Sequence, residues 1–188
     1  MEPTVAPEER VERFREVYDA VYVDLLRFVR RRVDPTHVED VVGDVMLVAW
    51  RRLDDVPADV SDARAWLFGV ARKILQNARR REDRYLALAV RLAEQRPPAD
   101  AGAHPDLVAR RVDLAAAWPR LSASHQEAIA LSVLDELTAP EAAAVLNITA
   151  VAFRLRLSRA RRSLRHHLES ASATRDRLGL PATGRSDR

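Results

Sequence analysis

Apolar residues recur along this chain at spacings of three and four, and strict alternation of apolar and polar positions is absent. Val11, Phe14, Tyr18, Val21, Leu25 and Phe28 predict a first helix from about residue 9 to residue 32. Asp34-Pro35 then reads as an N-cap followed by proline at the first helical position, where a missing N–H costs nothing. A second helix would run to about Leu53 and bury Val38, Val41 or Val42, Val45 and Ala49. After a loop over 54–61, Ser61 or Asp62 opens a third helix. Its apolar stripe is Trp66, Leu67, Val70, Ala71 and Ile74, and it ends in the basic run Arg79-Arg80-Arg81. With five glycines there is little room for hairpins, so the pattern predicts an all-α protein whose first domain spans 9–82.

The following segment, 83–106, reads as a flexible linker because it contains Pro97-Pro98-Ala99-Asp100-Ala101-Gly102-Ala103-His104-Pro105. A second domain is expected over 107–168, with one helix to Ala117, an interruption at Trp118-Pro119, and another helix reaching about Leu134. Ser124 is the expected cap of that helix, with Glu127 at the capping-box position. Next comes the order of a helix-turn-helix. Thr138 and Glu141 can close a capping box, Asn147 can take the left-handed turn conformation, and Thr149 supplies a fresh N-cap. Ala143, Leu146, Ile148, Phe153 and Leu157 should form its small core. Beyond Glu169, a Ser/Thr/Gly/Pro/Arg-rich stretch to Arg188 reads as a disordered tail.

Charge sharpens this picture. From Ala142 to Leu168 there are six arginines and no acid, and such a helix repels itself unless a polyanion is present. The net charge of +3 hides a split: residues 1–62 hold 15 acids and 9 bases, a balance of −6, which leaves +9 for the rest. An acidic half joined to a basic half points to two different partners. The chain has no cysteine, which excludes disulfides, cysteine nucleophiles and thiolate metal sites. No apolar run approaches ~18 residues and the start of the chain is unlike a signal peptide, so a cytoplasmic protein without membrane insertion is expected. His166-His167 are adjacent and point in different directions on a helix, and His37, His104 and His125 lack partners at recognisable spacings. No catalysis, cofactor or metal is expected.

Three segments carry a family resemblance. Glu39-Asp40-Val41-Val42-Gly43-Asp44-Val45-Met46-Leu47-Val48-Ala49-Trp50 resembles a region 2 segment of the extracytoplasmic-function (ECF) sigma factors of RNA polymerase. Arg64-Ala65-Trp66-Leu67-Phe68-Gly69-Val70-Ala71-Arg72 resembles the motif that follows it there. Leu157-Ser158-Arg159-Ala160-Arg161-Arg162-Ser163-Leu164 resembles the end of their region 4 helix-turn-helix. The resemblance implies an N-terminal region 2 domain and a C-terminal region 4 domain. Its partners would be the β and β′ subunits of core RNA polymerase and promoter DNA, with an anti-sigma factor as an open further partner.

The resemblance also distributes roles along the chain. Glu39, Asp40 and Asp44 would meet core polymerase, with Val41 and Val45 adding apolar contact. Arg64, Arg72, Lys73, Asn77, Arg79 and Arg80 would face the melting −10 element, and the 54–61 loop would capture a flipped base. Trp50 and Trp66 are stacking candidates there, although the spacing of Trp66 with Leu67 and Val70 is that of a core residue. Arg154, Leu155, Ser158 and Arg159 would lie on the −35 duplex, and Arg156, Arg161 and Arg162 on its phosphates. Two departures bear on base preference. Lys73 and Asn77 stand where many members have Asn and Asp, and Leu155 replaces a frequent serine. The alternative reading is an autonomous helix-turn-helix regulator with an N-terminal protein-binding domain, against which stands the lack of a dimerising heptad seam.

Overall fold

The computed structural model describes residues 7–81 and 105–177, with the side chains of 79–81, 105–107, 175 and 176 outside the description. Three helices form the first unit: α1 (Pro7–Arg30), α2 (Val38–Arg51) and α3 (Val60–Arg81). The second unit holds α4 (Pro105–Ala117), α5 (Ala123–Ile129), α6 (Ala139–Leu146) and α7 (Ala150–Arg177). No strand occurs among the described residues.

In α1, Val17, Val21, Leu25 and Phe28 are buried at spacings of four, four and three. Val11 and Tyr18, expected in that stripe, are exposed instead. Tyr18 stacks on Tyr22 with ring centroids 4.6 Å apart. Glu8 and Glu9 in the first turn and Arg27 and Arg30 in the last match the helix dipole. Asp34 accepts the Thr36 N–H at 3.1 Å and Pro35 opens a single 3₁₀ turn before α2. That second helix buries both Val41 and Val42, together with Val38, Val45, Met46 and Ala49.

The third helix is capped from further upstream than expected. Asp59 accepts from the backbone of Ser61 and Asp62 and from the Ser61 hydroxyl. Its Leu67, Phe68, Ala71 and Leu75 are buried, and Phe68 stacks on Phe28 at 4.3 Å. Trp66, Val70 and Ile74 lie on another side of the same helix, turned toward α6. Thus α3 is apolar on two faces and packs against both α1 and α6. The second face joins the two units into one continuous core.

In the second unit, Trp118-Pro119-Arg120 forms a 3₁₀ turn between α4 and α5. The cap of α5 is Ser122, not Ser124: the Ser122 hydroxyl accepts the His125 N–H at 3.3 Å. Glu127 is therefore free of capping and is drawn into the interior, as described below. One π-helical turn, Ala130–Leu134, ends at Asp135, and Glu136 adopts a left-handed φ of 55°. The last helix continues past Glu169 to Arg177. The Ser170 and Thr174 hydroxyls there donate to carbonyls one turn back, at 2.9 Å each, and no glycine intervenes before Gly179. The proposed linker core, 82–104, and the end of the chain, 178–188, lie outside the described residues.

Candidate nucleic-acid and polymerase interfaces

The helix-turn-helix is built from local chemistry. The Glu141 carboxylate accepts from the Thr138 N–H at 2.6 Å and from its hydroxyl at 2.5 Å, which closes the capping box. Asn147 has φ 54° and ψ 50°, and the Ile148 N–H returns to the Ala143 carbonyl at 3.0 Å. That is the left-handed stop expected of a Schellman turn. Thr149 then accepts the Ala152 N–H at 3.1 Å and starts α7. Ala143, Leu146, Phe153 and Leu157 are buried beneath the turn, and Ile148 packs against them half-buried.

This core sets the outward face of α7. Arg154, Leu155, Ser158, Arg159, Arg161 and Arg162 are all exposed. Arg154, Ser158, Arg161, Arg162 and Arg165 line one shallow depression of about 350 Å³. Their separations of four, seven, eight and eleven residues place them along one side of the helix. Arg165, which motif matching left unassigned, is part of that surface. Val151 is also exposed at 70 %, beside Leu155 at 52 %, so the start of the helix presents apolar as well as cationic groups. Arg156 departs from the expected pattern. It is half-buried, and its charge helps to lower the pKa of Arg72 on α3.

On α2, Glu39, Asp40 and Asp44 are exposed. Val41 and Val45 are not available beside them: both are packed in the core with Val38, Val42 and Ala49, so they cannot offer surface contact. The exposed apolar residue of this face is Leu47, three residues beyond Asp44 and 46 % exposed. Asp40, Gly43, Asp44 and Leu47 share one side of the helix. A Cβ at Gly43 would meet nothing within 4 Å, so the face is flat and open there.

The third surface lies in a groove of about 820 Å³ between α3 and α6, with Trp66, Val70, Lys73, Asn77, Pro140 and Asn147 among its walls. Lys73 and Asn77 are exposed at it. Arg64 is engaged, 3.3 Å from Asp24 and 3.8 Å from Glu141. Arg72 is half-buried, and burial lowers its pKa; Glu127 opposes this shift, while Arg156 and Arg32 add to it. The side chains of Arg79 and Arg80 lie outside the described residues. Trp66 is partly buried against the core, whereas Trp50 is on the outside, edge-on to Phe14 at 5.3 Å and beneath the Arg10 guanidinium. Arg10 and Arg13 tie α1 to the end of α2 and the following loop, donating to the Trp50 carbonyl at 2.7 Å and the Pro57 carbonyl at 2.9 Å.

The two units meet through a group of charges that sequence spacing does not reveal. Arg32 lies 2.9 Å from Asp135 and 3.3 Å from Glu127. Arg31 donates to the Leu134 carbonyl at 2.6 Å and stands 3.3 Å from Asp135. The Arg32 guanidinium lies over the Phe28 ring, 3.6 Å from its centroid. Among the described residues no helix is long and apolar enough to cross a membrane.

Comparison with known proteins places these elements. Residues 17–85 match Sigma-70 region 2 and residues 111–164 match Sigma-70 region 4. The RNA polymerase sigma factor CnrH of Cupriavidus metallidurans is 31 % identical over 153 residues, covering 74 % of this chain and 78 % of CnrH. The ECF RNA polymerase sigma factor SigL of Mycobacterium tuberculosis is 31 % identical over 165 residues, covering 86 % of this chain and 92 % of SigL. Among solved structures, CnrH in complex with the cytosolic domain of CnrY is 28 % identical with a TM-score of 0.54, over 84 % of this chain and 88 % of that one. The sigma factor RpoE of Bartonella quintana, solved with the anti-sigma factor NepR, shares the fold at 24 % identity and a TM-score of 0.56, over 82 % of this chain and 95 % of that one. The chain belongs to the extracytoplasmic-function sigma factor family of RNA polymerase.

Proposed function

We propose that this sigma factor docks on core RNA polymerase through the acidic face of α2, reads −35 DNA with α7, and melts the −10 element with α3. The observation that carries the reading is the division of exposed charge. Glu39, Asp40 and Asp44 form an open acidic face on one unit, while Arg154, Arg159, Arg161, Arg162 and Arg165 stand exposed on the second. Carboxylates on one rigid helix suit a basic protein surface. Guanidinium groups at the start of a recognition helix suit base edges in the major groove, and those along its side suit phosphate.

Opening the duplex needs contacts that become available only when bases are unstacked. Lys73 and Asn77 can donate to such bases and to the strand backbone, with the partly buried Trp66 and Val70 behind them. The lysine and asparagine, in place of the asparagine and aspartate of many relatives, add one cation and remove one anion, which makes this groove more attractive to a nucleic-acid strand. RpoE is held by the anti-sigma factor NepR, and the family likeness makes an anti-sigma factor a partner here too. Action on cytoplasmic polymerase places the protein in the cytoplasm.

Run-off transcription with purified core polymerase and fragmented genomic DNA tests the reading. Discrete transcripts that require both this chain and core enzyme are the expected result. Promoter-length DNA bound tightly by the chain alone, with no added transcription, would instead indicate a polymerase-independent regulator.

A further inference from the structure

The buried line of α7 fixes what its outermost side chains can touch. Phe153, Leu157 and Ala160 are buried at spacings of four and three and define the inner line of the helix. At about 100° per residue, Val151, Leu155, Ser158 and Arg162 fall on the line half a turn away. Arg154, Arg161 and Arg165 lie on one flank of that outer line, and Arg159 lies on the other. The outward face is thus cationic along both edges and apolar at the centre of its first turns. Among the described residues Val151 is the most exposed large apolar side chain, at 70 %, and Leu155 is 52 % exposed.

A lone exposed valine or leucine is ordinary on a protein surface. Here the two stand one turn apart at the capped start of a helix on which every charged neighbour is an arginine. The Thr149 hydroxyl accepts the Ala152 N–H and so fixes where that first turn points. Cations on both flanks select a polyanion as the occupant, and the apolar centre must then meet a non-polar part of it.

The major groove of B-DNA is about 12 Å wide, close to the diameter of a helix with its side chains. A helix seated there sets its flanks against the phosphate walls and its outer line against the base edges. The one apolar group on those edges is the C5-methyl of thymine. Val151 and Leu155 are about 6 Å apart along the helix at ~1.5 Å per residue. Successive bases of one strand are about 3.4 Å apart, so the pair spans one to two base steps.

We infer that Val151 and Leu155 read thymine methyl groups at two positions of the −35 element, one or two base pairs apart. The inference rests on α7 being the −35 reader and names the chemistry that its apolar centre recognises. A hydroxyl there could bond the polar edges of several bases. Valine and leucine gain only from a methyl, and they leave the polar edge of a G·C pair without water. The pair therefore favours thymine and disfavours G·C at the same positions.

The test uses the full-length chain with core polymerase and promoter fragments randomised across the −35 element. The selected element should carry thymine, on either strand, at two positions one or two base pairs apart. Each thymine is then replaced by deoxyuridine, which removes the methyl and keeps every hydrogen-bonding group. Loss of each methyl should weaken binding about fourfold, as for one buried methylene. The same replacement should have no effect on Val151→Ser with Leu155→Ser, which keeps its fold because both side chains are exposed.

An element without such thymines, or wild-type binding that ignores the methyls, overturns the inference. So does a double variant that still responds to them. A double variant that binds core polymerase less tightly without DNA also overturns it, because the pair would then belong to a protein contact. Arg154→Ala separates this inference from the reading beneath it. If that variant weakens the selected duplex while the methyls do not matter, α7 still reads the element and only the apolar readout falls. If no element is selected at all, the proposed role of α7 falls with it.

Discussion

Arg32 and Asp135 sit 103 residues apart in sequence, yet their side chains meet at 2.9 Å with each about 1 % exposed. The arginine is held from below by the Phe28 carbonyl at 2.9 Å and by the Phe28 ring, which itself stacks on Phe68. The central cation of the boundary is therefore anchored in the core of region 2 and its counter-charge in region 4. Removing one partner leaves the other buried and uncompensated. Asp135→Ala should destabilise the fold by about 3–5 kcal/mol, whereas replacing both, as Arg32→Met with Asp135→Leu, should cost much less. Chemical denaturation of the single and double variants checks this ordering. A double variant as unstable as the single would show that the charge pair is not the source of the loss.

Charge reversal at Asp40 and Asp44 should weaken association with core polymerase while leaving the fold intact, because both side chains are exposed on α2. Leu47→Ala should weaken it further, since Leu47 supplies the apolar surface that Val41 and Val45 do not. A pull-down with core enzyme, alongside circular dichroism, measures this. Undiminished capture of all three variants would remove α2 as the docking helix.

On α7, Arg154→Ala and Arg159→Ala should each reduce binding of a −35 duplex by about 1–3 kcal/mol if the residue makes a good bidentate base contact. Arg161→Ala and Arg162→Ala should instead weaken all sequences alike and lower the salt slope by about one each. Titrations of specific and scrambled duplexes at several salt concentrations separate the two behaviours. The expected pattern fails if all four variants retain wild-type affinity and slope.

Asp59 caps α3, and its pKa is depressed first by the Ser61 hydroxyl and then by the backbone N–H groups of Asp62 and Ser61. A depressed folded pKa means the stabilisation is present above the unfolded value and is lost as pH falls through the folded one. Asp59→Ala should therefore lower Tm at neutral pH, with the gap from wild type closing under acid conditions. Melting curves from neutral to strongly acidic pH check the sign. A gap that stays constant with pH would deny the carboxylate its capping role.

Much of the second unit was legible because its determinants are local. Thr138 with Glu141, Asn147 and Thr149 each act within one turn of the chain, so their spacing alone carries the geometry. The burial expected of Val45, and of Val41 or Val42, is seen, and it is the surface contact implied for Val41 and Val45 that conflicts with it. They lie one turn apart on the stripe of Val38 and Ala49, and a stripe that broad is buried on both edges once α1 and α3 close over it. Leu47 lies off that stripe, with only Trp50 as an apolar neighbour one turn on, and so carried no such signal.

The boundary between the units was hidden for the opposite reason. Arg32 reaches Glu127 and Asp135 across 95 and 103 residues, and no periodicity encodes such a pairing. One trace was present: Trp66, Val70 and Ile74 add a second apolar side to α3, more than a three-helix unit needs. The extension of α7 past Glu169 was obscured by serine and threonine, whose hydroxyls are satisfied within the helix itself.

Promoter opening is what separates a sigma factor from any other helix-turn-helix protein. Lys73 and Asn77 are exposed at the α3 groove, one helical turn apart. The most direct measurement is permanganate reactivity of promoter thymines with core polymerase and either the wild-type chain or Lys73→Ala with Asn77→Ala. The account expects reactive thymines around −10 with the wild type, and a marked loss of reactivity in the double variant although the closed complex still forms. Normal melting by the double variant, or no melting by the wild-type chain with core enzyme, would contradict it.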